Sequence, residues 1–417
     1  MSKIKIGEHI KIIPGFPFNS ALFNNDGEGL PLIRIRDLLT SKIETYYKGE
    51  YSKEYIIEEG DILIGMDGDF HIVKWKNKTK ALLNQRIMKV AQKEGAKLNI
   101  EYFYYFLFPF LTDVWEKTTA TTVKHLSTYD ISEAELEFPE FEVQTKIARI
   151  LSTADAVIEK TQAAIAKYKA IKQGMLHDLF TRGIDLSTNK LRPRYQDAPH
   201  LYKESKLGMI PREWDCEVLS SVIEVISGGT PSTHVKEYWN GEIPWLSVDD
   251  FNNGNRYALK AAKNITQLGL ENSATNYLLP GMLIISARGT VGVISQMKFP
   301  MTFNQSCYGL NSINKALSND FLYYFLLYFK QYIGFNAFGG VFDAITKKTF
   351  DEIFIPLNYS SNEHQLVVER LTAIDNKLQT EQTYLQKMQS LKKGLMEDLL
   401  SGKKKVKINE PQLYEQQ

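Results

Sequence analysis

Cysteine is scarce in this chain of 417 residues: there are two, Cys216 and Cys307, far apart in sequence. They fit reduced, buried thiols better than a disulfide framework. The seven histidines show no metal spacing of the Cys-x-x-Cys or His-Glu-x-x-His kind. A Gly-x-x-x-x-Gly-Lys-Ser/Thr phosphate loop is missing, as is Gly-x-Gly-x-x-Gly after a strand. So is the Asn/Asp-Pro-Pro-aromatic motif expected of an amino-methylating enzyme. These absences predict no nuclease, ATPase or methyltransferase activity, no metal site and no cofactor. Net charge is lacking too. Fifty Lys and Arg against 49 Asp and Glu leave +1, which argues against a strongly basic, general nucleic-acid binder. Any DNA contact must come from local patches, or a partner must add positive field. The longest apolar runs, Tyr102 to Leu111 and Phe321 to Phe329, are about half of what a bilayer span needs. They predict buried helices and no membrane association. The N-terminus MSKIKIGEHI has no apolar signal core, and a cytoplasmic protein is expected.

What is present is a repeat, offset by about 220 residues. The stripe Ile147, Leu151, Ala154, Ile158, Thr161, Ile165, Tyr168, Ile171, Met175, Leu179 returns as Val367, Leu371, Ile374, Leu378, Glu381, Leu385, Met388, Leu391, Leu395, Leu399. Steps of three and four place each stripe along one side of a long helix. Pro139 and Pro356 precede the helices, Asn84-Gln85 matches Asn304-Gln305, and the aromatic run Tyr102 to Phe108 matches Leu322 to Tyr328. At a shorter offset, Gly15 matches Gly228 and Pro31-Leu32-Ile33 matches Pro244-Trp245-Leu246. The chain therefore reads globule, long helix, globule, long helix, and its length supports more than one core.

Within the first globule, Leu30 to Leu39 reads as a strand with Arg34 and Arg36 on one face. Ile62-Leu63-Ile64 and His71-Ile72-Val73 read as a hairpin turning through Met66-Asp67-Gly68-Asp69, whose aspartates read as turn formers. Strands fall in one block rather than alternating with helices, so the class is α+β. Gly174 and Gly394 interrupt the two long helices at matched places, which predicts a close backbone approach where the helices touch. Gly183 and Gly402 end them. Ile184 to Glu213 reads as a linker, and the tail after Gly402 as disordered.

In this order and duplicated, the motifs resemble the specificity subunits of Type I restriction-modification systems. The second half carries them most fully: Leu207-Gly208-Met209-Ile210-Pro211 with Trp214, Ser227-Gly228-Gly229-Thr230-Pro231-Ser232, Tyr238-Trp239, Gly241 to Trp245, Leu279-Pro280-Gly281-Met282-Leu283, Arg288-Gly289 and Asn304-Gln305. Ile171-Lys172-Gln173-Gly174-Met175-Leu176 and Leu391-Lys392-Lys393-Gly394-Leu395-Met396 look like the family's spacer ends. The resemblance implies two globular target recognition domains separated by two long antiparallel spacer helices, a pseudo-two-fold internal repeat. The expected boundaries are 1–142 and 207–358 for the recognition domains, 143–183 and 359–402 for the spacer helices, 184–206 for the linker and 403–417 for the tail. It also implies double-stranded DNA, two modification subunits docked on the spacers and restriction subunits as partners; S-adenosylmethionine would bind the modification subunits. The first half departs from the pattern, with Gly15-Phe16-Pro17-Phe18-Asn19-Ser20 for the Gly-Gly-Thr-Pro-Ser run and Met66-Asp67-Gly68 for Ala287-Arg288-Gly289. Two unlike globules imply two unlike half-sites. The competing readings are a two-headed coiled-coil adaptor for proteins or glycans, and a stand-alone DNA-modifying enzyme.

Candidate DNA contacts are cations and hydrogen-bonding groups on loops, since phosphates position a protein and base edges specify. In the first globule they are Arg34, Arg36, Lys74, Lys76, Lys124 and His125, with Lys78 and Lys80 continuing the lysine alternation. In the second they are Thr230, Ser232, Thr233 and Lys236 on the Gly/Pro loop, Arg288 on a hairpin tip, Asn304 and Gln305, and Lys347 and Lys348. The last pair is placed where the first half has Lys124 and His125. Arg288 is suited to guanine O6/N7, and the Asn-Gln pairs to adenine or to a turn.

Overall fold

The computed structural model describes residues 2–40, 43–118, 123–333, 344–359 and 362–406. Thr119 to Thr122 of the Thr-rich loop and residues 407–417 of the expected disordered tail lie outside them. The chain divides into two compact units, one of residues 1–162 with 384–417 and one of residues 163–383. Each unit thus takes a half of each long helix.

The elements that matter, in chain order, are strands β1 (Ile10–Pro14), β2 (Leu30–Ile33), β3 (Ile62–Gly65), β4 (Ile72–Lys74), β5 (Ala81–Leu83) and β6 (Ile87–Gln92), followed by helices α1 (Ile100–Lys117) and α2 (Phe141–Thr181). Then come β7 (Ile223–Ser227), β8 (Trp239–Leu246), β9 (Leu283–Ser286), β10 (Ile294–Met297), β11 (Thr302–Phe303), β12 (Cys307–Ser312), α3 (Asn319–Tyr328) and α4 (Glu363–Leu400). In the first unit the antiparallel order is β1-β6-β3-β4; in the second it is β7-β12-β9-β10, with Tyr257–Ala258 added at the edge. A parallel pair repeats as well: Leu32 faces Leu82 in β2 and β5, and Trp245 faces Thr302 in β8 and β11. The class is α+β, and the strand block is duplicated along with the helices.

Both aromatic helices begin on a polar cap. Asn99 Oδ1 accepts from the Glu101 and Tyr102 N–H groups, and Ser318 Oγ accepts from the Phe321 N–H at 3.1 Å. Their buried faces, Tyr102, Phe103, Tyr105 and Leu107 in α1 and Phe321 to Leu326 in α3, close the cores against the sheets. Each such side chain contributes about 1.5–3 kcal/mol when taken from water. Cys307 is one of these core groups, and burial pushes its thiol up to about 12.

The two long helices run antiparallel, and the same three-residue junction ties each unit together. In the first, Tyr105 of α1 donates to Asp155 of α2 at 2.8 Å, and Lys392 of α4 pairs with the same carboxylate at 2.5 Å. In the second, Tyr324 of α3 donates to Asp375 of α4 at 2.8 Å, and Lys172 of α2 pairs with it at 2.5 Å. Each lysine also lies over its tyrosine ring, 5.5 and 5.7 Å from the centroid. Burial, and then the adjacent aspartate, push both phenols well above their ordinary range. Around the junctions Ile147 and Leu151 share a core with Leu399, and Leu176, Leu179 and Phe180 share one with Val367 and Leu371.

Four readings of the sequence need correction. The strand at Leu30 ends at Ile33, because Asp37 accepts from the Arg34 N–H and starts a short helix, Asp37–Thr40. Its second-half counterpart is a capping box in which Ser247 and Asp250 bond reciprocally. Arg34 and Arg36 therefore do not share a strand face. The expected linker is folded: Ile184–Asp185 pairs with Lys190–Leu191, and Tyr202–Ser205 with Gly208–Pro211. Gly174 and Gly394 are not points of helix contact, since a Cβ on either meets no atom within 4 Å among the described residues. Ile171 and Leu391, one turn before them and in the apolar stripes, are exposed at 39% and 50%.

Candidate nucleic-acid interface

At the same end of each sheet, four chain segments meet. In the second unit Gly228 lies so close to the Asn304 carbonyl that a Cβ would collide with it, and the Gly229 N–H donates to Phe303 at 3.0 Å. Beside them the Ala287 N–H donates to Ser306 at 2.8 Å, and Ile345 donates to Ala287 at 2.8 Å. The first unit builds the same junction. Gly15 lies against the Asn84 carbonyl, Met66 donates to Arg86 at 3.0 Å, and Leu126 donates to Met66 at 2.7 Å. The matched Gly and Asn-Gln signals of the sequence are therefore partners in space. Gly68 and Gly289 both hold positive φ, +78° and +73°, at the hairpin tips.

On this common frame the side chains differ. In the second unit Thr230 bonds Gln305 Oε1, while Asn304 Oδ1 accepts from the Ser306 N–H at 3.1 Å, so the asparagine builds the turn. Arg288 is exposed on its hairpin tip, bridged through its backbone to Ala344, and has no ion pair among the described residues. Ser232, Thr233 and Lys236 are exposed farther along the Gly/Pro loop. The Ser232 carbonyl accepts from Trp239 Nε1 at 3.1 Å, and Thr233 lines a 510 Å³ cavity with Trp239 and Lys263. In the first unit His125 Nδ1 lies 2.7 Å from Asp67 Oδ1, and Arg86 lies 3.1 Å from Asp67 Oδ2. Lys124 is packed over the Trp115 ring at 3.5 Å.

Other candidates are not brought to this junction. Lys74 pairs with Glu101 at 2.6 Å, and Lys76 pairs with Glu159. By strand register the counterpart of Lys74 is Gln296, which donates to Asp320 in the first turn of α3 at 2.9 Å. Asp320 also pairs with Arg256, which donates to Tyr324 at 3.0 Å. Lys80 pairs with Glu58 at 2.6 Å, and Lys78 is exposed. Arg34 is half-buried, bonded to Thr45 Oγ1 and 5.9 Å from the Phe23 ring; Arg36 lies 3.6 Å from Asp37. Lys347 and Lys348 are exposed just before the short helix Thr349–Glu352. The counterpart of His125 is Ala344, since Asp67 bridges His125 as Arg288 bridges Ala344. The two lysines thus sit four residues past the place the sequence assigned them. Sequence reasoning missed Arg86 and set aside Asp67 as a turn former. The signal was available in the third residue of Asn84-Gln85-Arg86, where the second half has Ser306.

Two like α+β units, each built on a half of each long helix and each with a loop junction bearing different polar side chains, define an internally duplicated two-unit protein. The chain belongs to the family of the Type I restriction modification DNA specificity domain, whose sequence profile matches residues 1–168 and 211–390. It is 30% identical over 307 residues to the EcoBI specificity subunit of Escherichia coli, covering 70% of this chain and 62% of that protein. It is 28% identical over 404 residues to a putative type I restriction enzyme MjaX specificity subunit of Methanocaldococcus jannaschii, covering 92% and 89%. The crystal structure of a Type I restriction-modification S subunit from M. genitalium has the same fold, with a TM-score of 0.61 at 15% identity over 98% of this chain and 96% of that one.

Proposed function

We propose that this chain reads a split, asymmetric duplex target, one unit for each half-site, as the specificity subunit of a Type I restriction-modification complex. The observation that carries this is the repeated loop junction: one backbone frame, built twice, presents Arg288 in one unit and Asp67, Arg86 and His125 in the other. Equal frames with unequal side chains suit two unlike words of sequence. Arg288, Thr230, Gln305, Ser232, Thr233, Lys236, Lys347 and Lys348 are the contacts assigned to the second unit, and His125 and Lys124 to the first. Asn304 shapes the turn that presents Gln305. Lys74 and Arg34 serve mainly to hold the first unit together, whereas Lys76 and Arg36 are exposed and engaged by Glu159 and Asp37.

Two modification subunits dock on the long helices, and restriction subunits join through the complex. The matched exposed pairs Ile171 with Gly174 and Leu391 with Gly394 support one docking place per helix, since an exposed apolar side chain beside a bare backbone admits close packing. Positive field from those partners supplements the weak +1 charge of this chain. Chemistry resides in the partners, and the complex works in the cytoplasm; among the described residues no helix is long and apolar enough to cross a membrane.

The test is to map methylated adenines across the genome of a host expressing the complete system. A two-part motif with a constant gap is expected, and salt-sensitive retention of the complex on matching duplexes. An unsplit motif, or retention of duplexes without regard to sequence, would remove the assignment. Arg288→Ala is expected to relax one position of one half-site; an unchanged motif takes Arg288 off the contact surface.

A further inference from the structure

The first unit has aspartate where the second has Arg288, and the backbone frame shows where its arginine has gone. The pair of positions that face each other across the junction is Asp67 and Arg86 in the first unit, Arg288 and Ser306 in the second. The pairing follows from equivalent hydrogen bonds, Met66 N–H to the Arg86 carbonyl and Ala287 N–H to the Ser306 carbonyl, at 3.0 and 2.8 Å. The next contact is equivalent too, Leu126 N–H to Met66 and Ile345 N–H to Ala287. Each unit therefore carries one arginine at this spot, entering from the hairpin tip in one and from the Asn-Gln turn in the other.

We infer that Arg86 is the base-reading arginine of the first unit, directed at a guanine and held in place by Asp67. This rests on the function proposed above. The Arg86 side chain is 57% exposed, whereas the Asp67 carboxylate is only 23% exposed. The acid is thus fixed by its surroundings, and the guanidinium reaches outward from it. Asp67 divides its two oxygens: Oδ2 takes Arg86 NH1 at 3.1 Å, and Oδ1 takes His125 Nδ1 at 2.7 Å. Among the described residues no other acceptor engages the guanidinium, so its remaining N–H edge is free for a ligand. A planar fork with one arm held by a carboxylate loses less rotamer freedom on binding. That fork matches the paired O6 and N7 acceptors of guanine in the major groove. His125, on the other oxygen, is placed for the neighbouring phosphate or base and steadies Asp67.

The experiment compares methylation maps and duplex binding of the complete complex carrying Arg86→Ala, Arg86→Lys, Asp67→Asn or no change, with Arg288→Ala as the reference for the other half-site. The expected result is a motif relaxed at a single base pair in the half-site that Arg288→Ala leaves intact, in both Arg86 variants. Discrimination at that position should fall on the order of 5- to 150-fold, the worth of a bidentate pair. Asp67→Asn should relax the same position by less. An unchanged motif in Arg86→Lys, whether Arg86→Ala weakens binding evenly or abolishes methylation, would overturn the inference, since it reports a phosphate contact or a structural role. If the unmodified complex yields no split motif, the proposed function itself fails, which is a different outcome from an intact motif in the variants.

Discussion

His364 and Gln144 hold the same place at the start of the two long helices, and they differ in what pH does to them. Gln144 accepts from the Asn99 N–H at 2.8 Å and donates to the Lys97 carbonyl at 3.0 Å. His364 Nε2 accepts from the Asn358 N–H at 3.0 Å, and Nδ1 faces the Ala316 carbonyl at 3.2 Å, which together select the neutral ring. Burial holds its pKa below the ordinary 6.5. A depressed folded value means the contribution to stability is full above that pH and declines as pH falls towards the folded value. The second unit should thus weaken as pH drops below 6.5, and His364→Gln, the residue of the first unit, should flatten that decline; urea midpoints against pH measure it. Next to it Glu363 is fully buried. Burial pushes its carboxyl up, but bonds from Arg192, Trp214 Nε1 and the Ile184 N–H outweigh that and leave it below its ordinary 4.5. Its contribution is present above 4.5 and lost as pH falls through the folded value. Arg192→Met leaves that charge buried without its 2.5 Å partner, and a loss of about 3–5 kcal/mol in unfolding free energy is expected.

At the scale of elements, the Tyr-Asp-Lys junctions set which turn of one long helix lies beside which turn of the other. Phenylalanine at Tyr105 or Tyr324 removes a bond to a charged acceptor, and each change should lower stability by about 1.5–3 kcal/mol in urea unfolding. The larger loss is expected for Tyr324→Phe, because that hydroxyl also accepts from Arg256 at 3.0 Å; no loss in either variant would mean that the junctions do not hold the units together. The exposed glycines are a contrasting case. Gly174→Ala and Gly394→Ala should raise the stability of the isolated chain by about 1 kcal/mol each, because alanine is the better helix former and nothing stands in its way. Ile171→Asp and Leu391→Asp should leave thermal unfolding near that of the parent. They should each reduce the number of bound modification subunits from two to one, read by light scattering of the assembled complex. Retention of two in both variants places docking elsewhere.

For the whole molecule, duplication is the organising fact. Each compact unit is assembled from its own strand block, the first half of its own long helix and the last half of the other one. A deletion at the end of α4, distant in sequence from the first globule, should therefore destabilise the first unit, since Leu399 is part of its core. Truncation after Gln389 is expected to lower the melting temperature of that unit while the second unit, whose share of α4 ends at Thr383, keeps its own. Two separated transitions in calorimetry check this; one transition shifted as a whole would mean that the units unfold together.

Helices, strand block and repeat were legible in the residues because apolar periodicity is a local property, read without knowing any partner. The matched glycines and Asn-Gln pairs were legible as pairs across the repeat. Their contact inside each unit was not, because a carbonyl lying against a glycine leaves no mark in spacing. The arginines at 34 and 36 looked like one face of a strand until Asp37 was seen to accept from the Arg34 N–H and start a helix. Whether a lysine is free or neutralised was equally hidden: Lys74 and Lys76 alternate like a binding surface, yet carboxylates far along the chain take them. Sequence alone thus determined the class and the duplication. Only the tertiary structure decided which cations remain available and that the first unit's arginine enters from Asn84-Gln85-Arg86, because charge pairing and loop convergence depend on residues brought together across long stretches of chain.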